Sequence, residues 1–420
     1  MPIPDFDQLL ERYAELTVRV GLNLRPGQRL IINNPSTRGV PLHAAPLVRK
    51  IAASAYKAGA RYVDVIWGDE SLRLSRFQHA PRDSFAEYST WHIAAVMEFI
   101  RHGDAVLSVR SNDPDLLGGQ DPDLVAQEQQ THLQHFQPIS QAIRHNAVNW
   151  CVVAASGPAW AAKVFPDLSV EQAEERLWQA IFEITRLDRP DPVAAWQEHI
   201  RNLLARSRYM NEKQYVALHY KAPGTDLTVG LPQGHRWLSA RMTAANGVEF
   251  TANLPTEEIF TLPHRERVDG TVRATLPLSY GGTLIEEFTL TFEQGRVVSF
   301  AARKGEDQLR KLLETDEGAR RLGEVALVPQ SSPIARRGHL FFDILIDENA
   351  SSHLALGGAY RFTLEGGEAL TEDEFAARGG NNSLAHVDFM VGSAELDIDG
   401  LRADGGREPV MRGGEWAFDV

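Results

Sequence analysis

Residues 105–156 read AVLSVRSNDPDLLGGQDPDLVAQEQQTHLQHFQPISQAIRHNAVNWCVVAAS, and their pattern decides the fold of the first half of the chain. An apolar run opens the stretch at 105–109, an amphipathic helix is predicted over 123–143, and a second apolar run follows at 148–154. Short apolar runs bounded by turn residues read as buried strands, and a helix between two of them makes the strands parallel. The same alternation extends towards the N-terminus. Helices are expected at 4–21, 43–58 and 85–102, and strands at 29–33 and 61–67. Gly59 and Gly103 close two of these helices, as glycine commonly does at a helix end. Strands this apolar belong in an open, mainly parallel sheet covered on both faces. No Gly-x-Gly-x-x-Gly and no Walker loop follows any of them, so nothing supports a nucleotide site.

Two further helices are expected at 169–186 and 192–208, and near 211 the pattern changes. Residues 215–220 and 225–231 form a hairpin around Pro223-Gly224. Beyond it come short alternating strands with glycine turns, at 270–278, 283–292, 295–302, 340–346 and 384–398, with one helix at 305–322. The predicted architecture is therefore an α/β N-terminal domain with a mainly parallel sheet over 1–210. An α+β C-terminal domain with antiparallel sheet follows over 211–420.

The chemistry concentrates in four pieces of the second half: NLPTEEIFT (253–261), RRLGEVALV (320–328), ENASSHLALGGAY (348–360) and NNSLAHVDFMVG (381–392). In the last, Ala385 to Phe389 alternates apolar and polar as a strand does. Side chains two apart on a strand share a face, so His386 and Asp388 project together. Two imidazoles, His353 and His386, and several carboxylates among small residues suit a pair of divalent cations. The mixed donors favour Zn, Co or Mn, with Mg possible. Taken singly, each residue has a plainer role: His353 as a hydrogen-bonded buried histidine, Glu324 as a cap or solvated carboxylate.

These pieces resemble the M29 family of metallo-aminopeptidases, the thermophilic aminopeptidase T group. NLPTEEIFT is similar to the family's Asn-Met-Pro-Thr-Glu-Glu segment, with Leu254 where methionine is usual, and HVDFMVGSAELDIDG to its His-x-Asp-x-Met-x-Gly segment. The resemblance implies that Glu258, Glu324, His353, His386 and Asp388 ligate two metal ions. Tyr360 then stands at the metal centre as catalytic helper or outer ligand. It selects Glu258 over Glu257 by spacing, since a one-residue shift would bring Gly323 into register. It implies hydrolysis of the N-terminal residue from peptides with a free N-terminus, through a water bridging the ions. Glu324 would bridge the ions, and Glu257 is one candidate for the proton acceptor. A homodimer in which the N-terminal domain walls the cleft belongs to the same expectation. Two other readings compete: a further di-metal hydrolase, such as a dipeptidase or amidase, on the same scaffold, and a non-catalytic peptide- or metal-binding relative.

The totals agree with an enzyme. With 43% hydrophobic and 24% charged residues the composition is that of a globular protein. A net charge of −13 argues against a nucleic-acid partner. A single cysteine, Cys151, excludes an intrachain disulfide and points to the cytoplasm. Neither a secretory signal nor a membrane span is expected. His132 and His135 lie three apart on a predicted helix and read as a polar face. The metalloprotease pattern His-Glu-x-x-His and the serine-hydrolase elbow Gly-x-Ser-x-Gly are both absent.

Overall fold

The computed structural model describes residues 3–280 and 283–420. The chain forms two compact units, Met1–His199 with Arg241–Pro255, and Ile200–Ala240 with Thr256–Val420. The sequence pattern changes once, near 211, whereas the chain returns to the first unit for Arg241–Pro255. The cause is a two-residue strand, Asn253–Leu254, which pairs alongside Trp150–Ala154.

That pairing completes a parallel sheet in the order Asn253–Leu254, Trp150–Ala154, Ala105–Arg110, Arg29–Asn33, Tyr62–Val65. Ile31 and Val106 pair in register on one face. There they pack on Ile93, Val96, Phe99 and Ile100 of helix Trp91–His102, and on Ile139 of helix Pro122–Arg144. Leu30, Ile32 and Leu107 point the other way and are fully buried too. Each such side chain stabilises the fold by about 1.5–3 kcal/mol through burial. The N-terminal helix Phe6–Leu16 runs into a π turn, Thr17–Gly21, and packs on helix Ala45–Lys57. A Cβ on Gly21 would lie 2.7 Å from Cys151 Sγ. Cys151 is thus a buried packing residue, its thiol pushed up by burial and so unreactive.

One helix here escapes the periodicity rule. Glu70–His79 buries only Phe77, and so has no apolar stripe to reveal it. It starts because the Asp69 carboxylate accepts the Ser71 N–H. The expected helix at 85–102 accordingly begins at Trp91, after a 3₁₀ turn at Arg82–Ala86.

The second unit is built on antiparallel sheets. In the larger, Ala217–Ala222 and Thr225–Gly230 form the expected hairpin, joined by Val268–Arg273, Thr283–Glu293, Arg296–Lys304, Asp397–Leu401 and Arg407–Arg412. Four predicted elements differ from those observed, the first being the strand expected at 270–278, which is broken into Val268–Arg273 and Leu278–Tyr280. The helix expected at 305–322 ends at Leu313. The Asp316 carboxylate then accepts the Ala319 and Leu384 N–H groups and turns the chain. The strand expected at 340–346 is a turn and a short helix, Ile344–Asp347. Asp343 caps that helix, and Asp347 accepts the Phe341 N–H. Aspartate side chains here offer the backbone partners that a ladder would otherwise supply. The run at 384–398 divides into two strands, His386–Met390 and Asp397–Leu401, which belong to different sheets. No helix among the described residues is long and apolar enough to cross a membrane.

His132 and His135 lie on helix Pro122–Arg144 and flank Tyr88, whose ring stacks on His135. The Tyr88 hydroxyl sits 2.9 Å from His92 Nε2 and 3.0 Å from His132 Nδ1. Burial, with the Arg38 charge nearby, pushes His132 down to about 4. A histidine depressed below its unfolded value stabilises the fold above pH ~6.5, and that contribution is lost as pH falls towards the folded value. The melting temperature should therefore fall between pH 6.5 and 4. His132→Gln, which cannot charge, should flatten that part of a Tm-against-pH curve.

Candidate metal centre

Four antiparallel strands of the second unit stand in the order Ile259–Thr261, Leu322–Leu327, His353–Gly357, His386–Met390. Their register sorts the side chains, because residues paired across antiparallel strands share a face. Ala355 pairs with Glu324 on one side and Asp388 on the other. Gly357 pairs with His386, and His353 with Ala326 and Met390. Phe260 pairs with Ala326, so the face to which Glu258, two residues earlier, belongs is the same one. Glu258, Glu324, His353, His386 and Asp388 thus share a face. Its opposite is apolar, with Ile259, Val325, Leu327, Leu354, Leu356 and Phe389 all buried.

A bulge makes this sorting possible at Glu324. Leu322 pairs with Leu356 on the apolar face, and the register shifts before Glu324 pairs with Ala355. Gly323 is the extra residue, and a Cβ there would meet the Gly357 carbonyl at 2.3 Å. Without the bulge, Leu322 and Glu324 would lie on one face, and either a leucine would face the carboxylates or Glu324 the core.

The donor atoms converge in two groups that share Glu324: Glu258, Glu324 and His353, and Glu324, His386 and Asp388. His353 Nε2 lies 3.3 Å from Glu258 Oε2 and 3.6 Å from Glu324 Oε1. His386 Nε2 lies 3.7 Å from Glu324 Oε2 and 3.6 Å from Asp388 Oδ1. The two oxygens of Glu324 therefore face different imidazoles. Each ring is held from behind: His353 Nδ1 donates to the Ser351 carbonyl at 3.1 Å and His386 Nδ1 to the Gly358 carbonyl at 2.7 Å. Such bonds fix the tautomer and aim Nε2 at the carboxylates.

These residues fit divalent cations. Two donors about 2.1 Å from one ion at a tetrahedral angle stand about 3.4 Å apart, close to the separations here. Glu258 Oε2 and Asp388 Oδ1 are buried with no hydrogen-bond partner among the described residues. Burial, with Glu324 and Asp388 close by and against the pull of His353, pushes Glu258 up to about 8. Burial alone would lower His353, but the hydrogen bond with Glu324 and the charges of Glu258 and Asp388 outweigh it and raise the imidazole to about 10. Protons thus supply the positive charge that the carboxylates demand, and a cation must displace them, so its affinity rises with pH.

Of the other expected residues, Tyr360 places its ring 4.8 Å from that of His386 and stacks on Phe362. Glu257 is buried but belongs to neither donor group. Sequence reasoning passed over Glu348. Burial and the charges of Glu258 and Asp388 raise its carboxyl well above the ordinary range, so it lies in the field of the same centre. Its segment reads only as a polar run, and no local pattern distinguishes a half-buried glutamate there. Ala355 and Gly357 were equally silent, since their role as the floor of the ligand face is set by register.

The sequence pattern of the family described as thermophilic metalloprotease (M29) matches residues 6–416. Aminopeptidase 2 of Geobacillus stearothermophilus is 48% identical over 415 residues, 99% of this chain and 99% of that protein. Aminopeptidase T of Thermus thermophilus is 48% identical over 414 residues, 98% and 99% of the two chains. The solved structure of wild-type AmpT from Thermus thermophilus superposes with a TM-score of 0.92 at 47% identity, covering 98% of this chain and 100% of that one.

Ala355, paired between Glu324 and Asp388 on the ligand face, makes a steric prediction. Ala355→Leu should abolish metal uptake, measured by elemental analysis after dialysis. The overpacking should cost about 1–3 kcal/mol, so circular dichroism should still show a folded protein. Metal content equal to that of the unaltered chain would show that no cation sits over Ala355.

Proposed function

The chain belongs to the M29 thermophilic metalloprotease family and is a peptide hydrolase, and from that premise we propose a metal-dependent aminopeptidase. It releases the N-terminal residue of peptides that carry a free amine. The relatives named above are aminopeptidases, and both align with this chain almost end to end. The observation that carries a two-cation reading is Glu324, whose oxygens face His353 on one side and His386 on the other.

In this proposal Glu258, Glu324 and His353 would hold one divalent cation, and Glu324, His386 and Asp388 would hold a second. Zn, Co or Mn fits this mixture of imidazole and carboxylate better than Mg. Bound there, such a pair supplies a Lewis acid for the scissile carbonyl and a water acidified towards neutral pH. The chain's own residues do the rest. Glu324 and the two imidazoles set the spacing of the site. The Tyr360 hydroxyl, held beside His386 by its ring, donates to the carbonyl oxygen as that atom gains charge; one such donor is worth about 10²–10³ in rate. The Glu348 carboxylate takes the proton of the attacking water and returns it to the leaving amine. Glu348 and Glu257 both stand outside the donor groups, and Glu348 is chosen because the charges of Glu258 and Asp388 act on its carboxyl. We also assign the enzyme to the cytoplasm and to a homodimer. Sedimentation velocity tests the latter.

Dialysis against a chelator should abolish release of the first residue from leucyl peptides, and added Zn, Co or Mn should restore it. Full activity after metal removal would end the proposal, and N-acetylated peptides should resist cleavage throughout. His386→Ala should lose metal and stay folded. Glu348→Gln should keep its metal content while kcat falls at least about 10²-fold. A normal kcat in that variant would remove Glu348 from the proton path.

A further inference from the structure

Among the proposed ligands, Glu258 lies outside the strands. It precedes Ile259–Thr261, so the strand period from Phe260 gives its face but no ladder pair of its own holds it in place. Its loop is held instead by a side chain from elsewhere in the chain. Asn349 is fully buried in the 3₁₀ turn Glu348–Ala350, just ahead of His353. Its Oδ1 accepts the Glu257 backbone N–H at 2.7 Å. Its Nδ2 donates to the Leu345 carbonyl at 3.1 Å and lies 3.4 Å from Glu348 Oε1.

The two ends of this amide do different work. The Nδ2 bond to Leu345 is local, closing the short helix Ile344–Asp347 four residues back. A residue with only that role would need nothing at Oδ1. Yet Oδ1 reaches across 92 positions to the residue adjoining a proposed ligand. Only a side-chain amide offers an acceptor and a donor at this reach; aspartate would turn a second oxygen on the Leu345 carbonyl. The segment that carries His353 and the loop that carries Glu258 are thereby joined through one buried group. Across that join, His353 Nε2 and Glu258 Oε2 stand 3.3 Å apart.

We propose that Asn349 is a positioning residue of the metal centre, pinning the Glu257–Glu258 loop to the His353 segment so that Glu258 and His353 can share one cation. The inference rests on the metal-hydrolase reading above and adds to it the group that fixes the one ligand outside the sheet. Outer residues of this kind typically change metal affinity about 10- to 100-fold.

The test is calorimetric titration of metal-free protein with Zn²⁺, alongside the melting temperature of the same metal-free samples. Asn349→Ala should bind about 10- to 100-fold more weakly than the unaltered chain. Asn349→Asp keeps the acceptor for the Glu257 N–H while losing the Nδ2 bonds. It should recover affinity to within a few-fold although its melting temperature also falls. That split separates positioning from general stability. His386→Ala serves as the control that removes a proposed ligand outright. If His386→Ala loses metal while Asn349→Ala binds normally, the inference fails and the metal centre stands. If Asn349→Asp binds as weakly as Asn349→Ala, the Oδ1 contact is not what matters and the inference fails again. If the unaltered chain takes up no Zn²⁺, the underlying reading fails instead. Should Asn349→Ala not fold, Asn349→Ser, whose hydroxyl is too short to reach Glu257, replaces it. Failure of both to fold overturns the proposal, since Asn349 would then be holding the unit together rather than its ligand loop.

Discussion

The second unit is organised around a buried concentration of negative charge. Glu258, Glu324 and Asp388 converge on one face of a four-stranded sheet, each less than a tenth exposed, with His353 and His386 among them. Taking an ionised carboxylate out of water costs several kcal/mol unless something positive comes with it. Without a cation, the balance is met by protons, which is why Glu258 and His353 are both raised. The fold therefore carries a standing electrostatic cost that a divalent ion would relieve.

The sheet bears this cost because its two faces are chemically opposite. The buried Ile259, Val325, Leu354, Leu356 and Phe389 supply hydrophobic stabilisation on one side, while the other holds the carboxylates. Strand pairing places four of the proposed ligands, backbone carbonyls aim the two imidazoles, and sites built on strands are held more closely than sites on loops. Small residues matter as much as the donors. Ala355 and Gly357 keep the centre of the face low, and Gly323 lets the strand change its facing at the one place where a core leucine and a site glutamate lie two residues apart. Glu258 alone depends on a side-chain contact, through its neighbour Glu257 and Asn349.

Much of this was legible beforehand, for definite reasons. Apolar runs between amphipathic helices specify a buried parallel sheet by period alone, and the first unit has one. His386 and Asp388 share a strand and a face because they are two apart. The illegible parts share a cause as well. Helix Glu70–His79 begins at a cap and buries a single large residue, so no stripe announces it. The turn at 341–347 looked like a strand because its apolar residues are consecutive. Asp343 and Asp347 decide otherwise by hydrogen bonds that no periodicity records. Glu348 looked like one more charge in a polar run.

By itself the sequence determined the class of fold and, through resemblance to a family, the residue types at the centre. Local periodicity and short motifs are properties of neighbouring residues, and they survive without coordinates. Only the tertiary structure decided that Glu324 stands between two imidazoles, that Ala355 floors the site, that Glu348 lies in its field, and that Asn349 ties Glu257 to the turn before His353. Each of these depends on strand register or on a hydrogen bond between segments far apart in the chain. A shift of one residue in that register would turn the same side chains to the other face.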